Sequence, residues 1–362
     1  MPHLAIVGAG AAGLAAAHAL RDAPLAVTVF EKSRGLAGRA ATRWRDAEDA
    51  AGAPFRWRYD HGAQYLSAPV GSPSHRLVTE GLDADGLAEI TRPGTAAVWP
   101  FGADGAVRPG DARPEGAPRL TYADGIASLG RRLADATPGL DVRTQTRVGR
   151  VEQRAAGWRV EGDDGADLGA FDAVLLTAPA PQAVVLVRES AMGDALRERL
   201  LAGLGEATYR SQFTVVWAFP EGLAARPAPY ALVDTSGEHA AAWIAVESDK
   251  PGRAPAGATL LLAQMSAAWT AAHYDAPKPD VVAAATEAVG GVVGALPPAA
   301  WTDTQRWRYA LPDAQADAAA LRAAEAAGVF VAGDAVAGKG RVHLALETGM
   351  DAAARIRAHL QV

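Results

Sequence analysis

The sequence predicts an α/β chain: a Rossmann-like domain built from both ends of the chain, with a mainly antiparallel α+β region inserted between them. Three observations carry this. The chain opens strand, glycine loop, helix, strand within residues 3–30, a β-α-β unit of the expected size of about 30 residues. It closes on a buried strand, a loop and a helix over 329–360. Between them lie β-branched and aromatic runs bounded by turn residues, as in sheets connected by hairpins.

In chain order, residues 3–7 read as a buried strand, 8–13 as the glycine turn and 14–21 as an alanine-rich helix; 25–30 form a second strand, ending at Glu31. Residues 50–58 read as irregular, and 66–117 as loops and short hairpins, with turn signals at 83–86, 104–105 and 109–110. A helix is expected over 126–136, with Leu129 and Leu133 on one face. Strands follow at 142–150, 151–154, 158–161 and 171–177, then one amphipathic helix over 189–204. Further strands are expected at 209–219, 241–246, 259–265 and 329–332, and helices at 281–296 and 344–360. This order assigns 1–68, 122–181 and 305–362 to the nucleotide-binding domain, and 69–121 and 182–304 to the substrate domain.

Composition removes several classes of function. The chain has 362 residues, a net charge of −6 and no cysteine. Disulfides, thiolate nucleophiles, Cys-ligated metals and a Cys-tethered cofactor are therefore excluded. The eight His are scattered without metal-ligand spacing, and there is no GxSxG elbow. No global basic field suggests nucleic acid as a partner. The apolar stretch 4–20 is too short to span a membrane and is interrupted by Gly8, Gly10 and Gly13. A soluble, cytoplasmic chain is the expectation, and the oligomeric state stays open.

The glycine loop is Gly8-x-Gly10-Ala11-Ala12-Gly13. Gly8 permits the turn, Gly10 allows close approach of a pyrophosphate, and Gly13 lets the helix pack on the strand. The helix start offers free N–H groups and a positive dipole end to phosphates. Glu31, 18 residues after Gly13, is placed to accept both hydroxyls of an adenosine ribose.

Four further stretches carry a family resemblance. Glu31-Lys32 runs into Gly38-Arg39, which resembles the strand–Glu–x(6)–Gly–Arg stretch of FAD proteins of the glutathione-reductase and amine-oxidase superfamily. Asp60-His61-Gly62-Ala63-Gln64-Tyr65 resembles the D-x-GAQY segment of renalases and related bacterial flavoproteins. Gly333-Asp334 and Gly340-Arg341-Val342-His343 resemble the renalase-type GD…SGRVEGA segment, with His343 in place of the usual Glu and Lys339 in place of a small residue. Smaller matches are Arg147-Val148, Thr177 to Gln182, Trp243 to Pro251 and Gln305 to Ala310. Together they cover nearly the whole chain, which resembles a bacterial renalase-like FAD oxidoreductase.

The resemblance implies a noncovalent FAD. Arg39 would clasp its second phosphate, a role suited to a bidentate guanidinium. Asp334 would bind the ribityl chain and Val148 the adenine, while Gly62, Ala63 and Gln64 would run beside the flavin. Amides near Arg341 and Val342 would face the flavin edge that gains negative charge on reduction. The implied reaction oxidises 2- and 6-dihydro isomers of NAD(P)H by hydride transfer to flavin N5, with O2 reduced to H2O2. Gln64, Tyr65, Trp243 and Trp307 are the candidates around the donor. Tyr65 reads equally as a core aromatic, His61 as a satisfied structural His and Lys339 as a solvated loop Lys. An amine oxidase or desaturase acting on another small donor is the alternative within the fold. A flavin-fold binding protein without turnover is the alternative outside catalysis.

Overall fold

The computed structural model describes residues 1–48, 52–110 and 117–362. A five-stranded parallel sheet runs in the order Val329–Val331, Ala173–Leu176, His3–Val7, Ala26–Phe30, Asp141–Arg143. The first strand therefore sits at the centre, flanked on one side by the next strand in the chain and on the other by segments from far along it. Apart from the partly exposed edge strand Asp141–Arg143, these strands are short, mainly apolar runs, as expected for a parallel sheet covered on both faces. Leu4, Ile6, Leu175 and Phe330 pack on one side against the helices Ala11–Ala19 and Val342–Leu360. A three-stranded antiparallel meander, Val148–Gln153, Trp158–Gly162 and Asp167–Phe171, adjoins the other side.

The second layer is a six-stranded sheet. Its order is Trp301–Pro312, Tyr209–Phe219, Thr259–Met265, Ala241–Val246, Ala231–Asp234, Val98–Phe101. All neighbours are antiparallel except the last pair. Helix Lys278–Val293 covers one face through Val281, Ala285 and Val289, which pack on Val215, Trp217 and Leu261. The fold is thus α/β with a mainly antiparallel insertion. Among the described residues no helix is long and apolar enough to cross a membrane.

Several local expectations need correction. Residues 54–58 are not irregular. They belong to strand Pro54–Asp60, which forms a two-stranded ribbon with Thr42–Glu48; Ala50 and Ala51 lie outside the described residues. The ribbon reads poorly because its faces alternate charged and aromatic residues with little apolar periodicity. Within 66–117, of which 111–116 lie outside the described residues, the chain forms a short helix at Pro73–Arg76. Ser72 caps it by accepting the His75 N–H, and Pro73 occupies its first turn. The strand expected over 142–150 is broken at Gln145, whose φ is 54°. There Thr146 N–H turns back to the Glu31 carbonyl at 2.9 Å.

The helix expected over 189–204 starts only at Asp194 and runs to Gly205, and a separate helix that was not expected, Ala180–Glu189, precedes it. Ser190 ends that helix by donating to the Leu186 carbonyl and accepting the Val151 N–H. Ala191 then bridges to the strand at Val151 and Gln153. A competing strand edge wins over helix propensity. Two further elements are absent from the sequence reading: strand Trp301–Pro312, which runs far past the motif at its centre, and helix Ala318–Ala324, which has only its Asp317 cap as a signal.

Helices Ala11–Ala19 and Val342–Leu360 approach until Gly349 faces the Ala12 backbone, where a Cβ would collide with the Ala12 carbonyl. Gly349→Ala should lower stability by about 1–3 kcal/mol. Urea denaturation checks this, and an unchanged midpoint would mean that the helices separate without cost.

Candidate active site

The glycine loop is built as its spacing demands. A Cβ on Gly8 (φ 113°) would press on Thr177 Oγ1, and one on Gly13 would strike the Gly8 carbonyl. Beyond Gly10 the space is open. Thr177 fixes the turn by donating to the Val7 and Gly8 carbonyls at 3.1 and 2.9 Å. The helix beginning at Ala11 and Ala12 has no side-chain cap at Gly10 and no acidic residue in its first turn. Its first N–H groups therefore stay available to an anion.

Glu31 is buried beside this loop. Its Oε2 accepts the Ala9 N–H at 3.0 Å and its Oε1 the Ser33 N–H at 2.7 Å. Each oxygen keeps a lone pair for a further donor. Ala37 N–H donates to the Ala9 carbonyl at 2.8 Å, which lays Gly38 against Gly10. Thr146 and Gln145 bond the backbone of Glu31 and Ser33, so Val148 follows directly at the same corner. Lys32 is exposed.

Arg39 and Asp334 meet. Arg39 Nη1 and Nη2 donate to the two Asp334 carboxylate oxygens at 2.6 and 2.7 Å. Tyr209, which the sequence reading did not single out, donates its hydroxyl to Asp334 Oδ1 at 2.8 Å. Gly333 precedes Asp334 with φ 121° and donates its N–H to Thr348 Oγ1. Arg341 is the exposed N-cap residue of helix Val342–Leu360, again without a side-chain cap bond. His343 lies in the first turn, where burial lowers its pKa against the pull of Glu347.

The segment 60–65 lies across both sheets. Ala63 N–H donates to the Arg39 carbonyl at 2.9 Å, and a Cβ on Gly62 would collide with that carbonyl. Thr214 Oγ1 and Trp307 Nε1 each donate to the His61 carbonyl at 2.8 Å, and Gln264 Nε2 to the Gly62 carbonyl at 2.7 Å. Gln305, Thr214, Gln264 and Trp243 are cross-strand neighbours, so one row of the antiparallel sheet pins this turn. Gln64 is buried, with its Nε2 donating to the Asp60 and Gly62 carbonyls and its Oε1 without a partner. Tyr65 faces Trp243 at 6.0 Å between ring centroids. Trp307 stacks on His61 at 5.3 Å and 11°. Burial lowers the His61 pKa to about 4, with Arg43 adding to the effect, so the ring is neutral at pH 7.

Under this turn lies a fully buried ionic cluster. Asp60 Oδ2 accepts from Lys250 Nζ at 3.0 Å and Arg253 Nη2 at 2.6 Å. Lys250 also pairs with Glu247 Oε2 at 2.8 Å. Burial raises the Glu247 pKa, with the Asp60 charge adding to it; Arg253 and Lys250 overcome the same burial penalty at Asp60 and hold its pKa below the usual range. The sequence reading quoted Asp60 and Lys250 within motifs but missed Glu247 and Arg253, which meet Asp60 from 187 and 193 residues along the chain.

The family model described as flavin containing amine oxidoreductase matches residues 101–357, and that of an NAD(P)-binding Rossmann-like domain matches residues 6–80. The chain belongs to the flavin containing amine oxidoreductase family. Among solved structures it is similar to a protein from Exiguobacterium sp. 255-15 provisionally assigned as a protoporphyrinogen oxidase, at 16% identity and TM-score 0.72, with 100% of this chain and 99% of that one covered. A putrescine oxidase bound to putrescine aligns at 15% identity and TM-score 0.69, covering 99% of each chain. A CLA-producing fatty acid isomerase from P. acnes aligns at 12% identity and TM-score 0.69, covering 98% of each. At these identities the structural likeness establishes the fold alone.

As a member of this family the protein is a flavin-dependent oxidoreductase, with FAD as its cofactor. The residues present fit that group: open space over Gly10, an uncapped helix start, and two carboxylates, Glu31 and Asp334, with lone pairs to spare for hydroxyl donors.

Two outcomes follow from the buried charges. His61 is neutral in the fold, so the unfolded chain takes up the proton first as pH falls below 6.5. Stability should drop between pH 6.5 and about 4, by up to ~3 kcal/mol. His61→Phe keeps a stacked ring and should flatten that part of the profile in urea melts; parallel profiles would show that His61 does not titrate this way. Lys250→Met leaves two buried carboxylates sharing one cation and should cost about 3–5 kcal/mol. A thermal melt within ~1 kcal/mol of the parent would show that water replaces the amine.

Proposed function

We propose that this flavin oxidoreductase oxidises misformed dihydronicotinamides, the 2- and 6-dihydro isomers of NAD(P)H. The observation that supports this reading is the disposition of the four lysines. Lys250 is locked between Asp60 and Glu247, with no exposed surface. Lys32, Lys278 and Lys339 are exposed. Lys250, locked in this way, is not available to hold a water or carry a proton beside a bound flavin ring, as a lysine does in many amine oxidases.

A dihydronicotinamide needs no such group. It becomes aromatic on losing a hydride, so the reacting carbon requires stacking and orientation rather than a base. Half-buried Tyr65, backed by the buried Trp243, offers one aromatic surface, and Trp307, held flat by His61, a second. Gln64 Oε1 is a buried acceptor without a partner, suited to the carboxamide N–H of the donor. Bound FAD supplies the two-electron acceptor, so that donor, O2 and one proton give NAD(P)+ and H2O2. The chain's own part is to bind, orient and exclude water.

The test is anaerobic. The purified yellow protein is mixed with separated 2-, 4- and 6-dihydro isomers of NADH, and the visible flavin band is followed. Bleaching by the 2- or 6-isomer, and not by the ordinary 4-isomer, is the expected result. No bleaching by any isomer would overturn this donor and leave the cofactor assignment intact. Rapid bleaching by a diamine in the same assay would favour the amine reading, which the fold likeness to a putrescine oxidase brings into range.

A further inference from the structure

Among the described residues, four charged side chains meet beneath the turn at Gly62: Asp60, Glu247, Lys250 and Arg253, none with any exposed surface. They hold one another, so a bound cofactor does not compete for their contacts. Asp60 takes the larger share of the positive charge. Its Oδ2 accepts from Lys250 and Arg253 at 3.0 and 2.6 Å, while Thr42 and the Ile126 N–H fill Oδ1. With Asp60 as the sole carboxylate, the group would carry a surplus positive charge.

Glu247 removes that surplus. Its Oε2 lies 2.8 Å from Lys250 Nζ and its Oε1 3.4 Å from Arg253 Nε. Oε1 also accepts the Asp60 N–H at 2.9 Å. A Gln carbonyl would satisfy that N–H equally well, so what the carboxylate adds is charge. Neighbouring titratable groups leave the balance alone. Burial raises the Tyr230 pKa well above its usual value and keeps the phenol neutral, and the His61 ring is neutral as well. Enclosed charges are screened far less than surface pairs, so an imbalance here reaches groups beyond direct contact.

By its resemblance to flavoproteins, the segment that leaves Asp60 runs beside the flavin ring. Two-electron reduction places negative charge on that ring. A surplus cation beneath it would make the flavin easier to reduce and its electrons harder to pass to O2. We propose that Glu247 sets the reduction potential of the bound flavin, by cancelling the second buried cation under the turn. It touches neither donor nor cofactor and acts through its charge. The inference holds whichever donor the enzyme oxidises, and it rests on residues 62–64 bordering the flavin.

The test measures the midpoint potential of the holoenzyme, anaerobically and against a reference dye, with no donor present. Glu247→Gln should shift the two-electron equilibrium toward reduced flavin by about tenfold, or about 30 mV. Lys250→Met should shift it by a similar factor the other way. In the double variant one cation faces one carboxylate, and the equilibrium should return to within about threefold of the parent. Glu247→Asp keeps the charge on a shorter side chain; it disturbs the packing and should leave the potential near that of the parent. An unchanged potential in Glu247→Gln, or an equal shift in Glu247→Asp, would overturn the proposal. Should either single variant fail to fold, the other decides by its sign: no shift, or a shift opposite to the one stated, overturns it.

Discussion

Every polar group of Asp60 is used, and the site depends on that. Its N–H donates to Glu247, its carbonyl accepts from Gln64, Oδ1 accepts from Thr42 and the Ile126 N–H, and Oδ2 from Lys250 and Arg253. These partners come from the charged ribbon, the helix start after Gly125 and the exit of the antiparallel sheet. One carboxylate therefore fastens three separate pieces of chain immediately before the turn at Gly62. A buried charge is a poor source of net stability. Its value here is directional: with two cations and two N–H or O–H donors fixed around it, the chain leaves Asp60 along a single path.

That path is then read from the other side. Thr214, Gln264 and Trp307 hold the His61 and Gly62 carbonyls down on the antiparallel sheet, while Ala63 bonds back to Arg39. The turn lies sandwiched between the layer that carries the glycine loop and the layer that carries Trp243 and Trp307. Motion of either layer would be felt in the same few peptides. Rigid support from regular elements is what a site needs when orientation does most of the chemical work.

The sequence reading succeeded where the physics is local. A strand, a glycine turn and a helix are consecutive, so Gly8, Gly10, Gly13 and Glu31 could be placed from their spacing alone. The long apolar strands of the second sheet were legible for the same reason. It failed where a tertiary partner outbids local preference: Ser190 leaves a helical pattern to cap a strand edge, and the ribbon at 54–60 is held by pairing with 42–48 rather than by apolar periodicity. Arg39 and Asp334 were each visible in a motif, yet their pairing spans 295 residues and has no sequence signature. Arg253, Tyr209 and Gln264 have no motif at all, and Glu247 is an unspecified position within one; the role of each depends on what the fold brings beside it.

The order of strands in the parallel sheet has a consequence for the living chain. The first strand is completed on one side by Ala173–Leu176 and, beyond it, by Val329–Val331. The glycine loop emerges from the ribosome early, but Asp334 and the helix bearing Gly349 follow some three hundred residues later. At about 5–20 residues per second, the nascent β-α-β unit waits tens of seconds with its apolar face and central strand edges uncovered. The cofactor pocket is therefore a late product of synthesis.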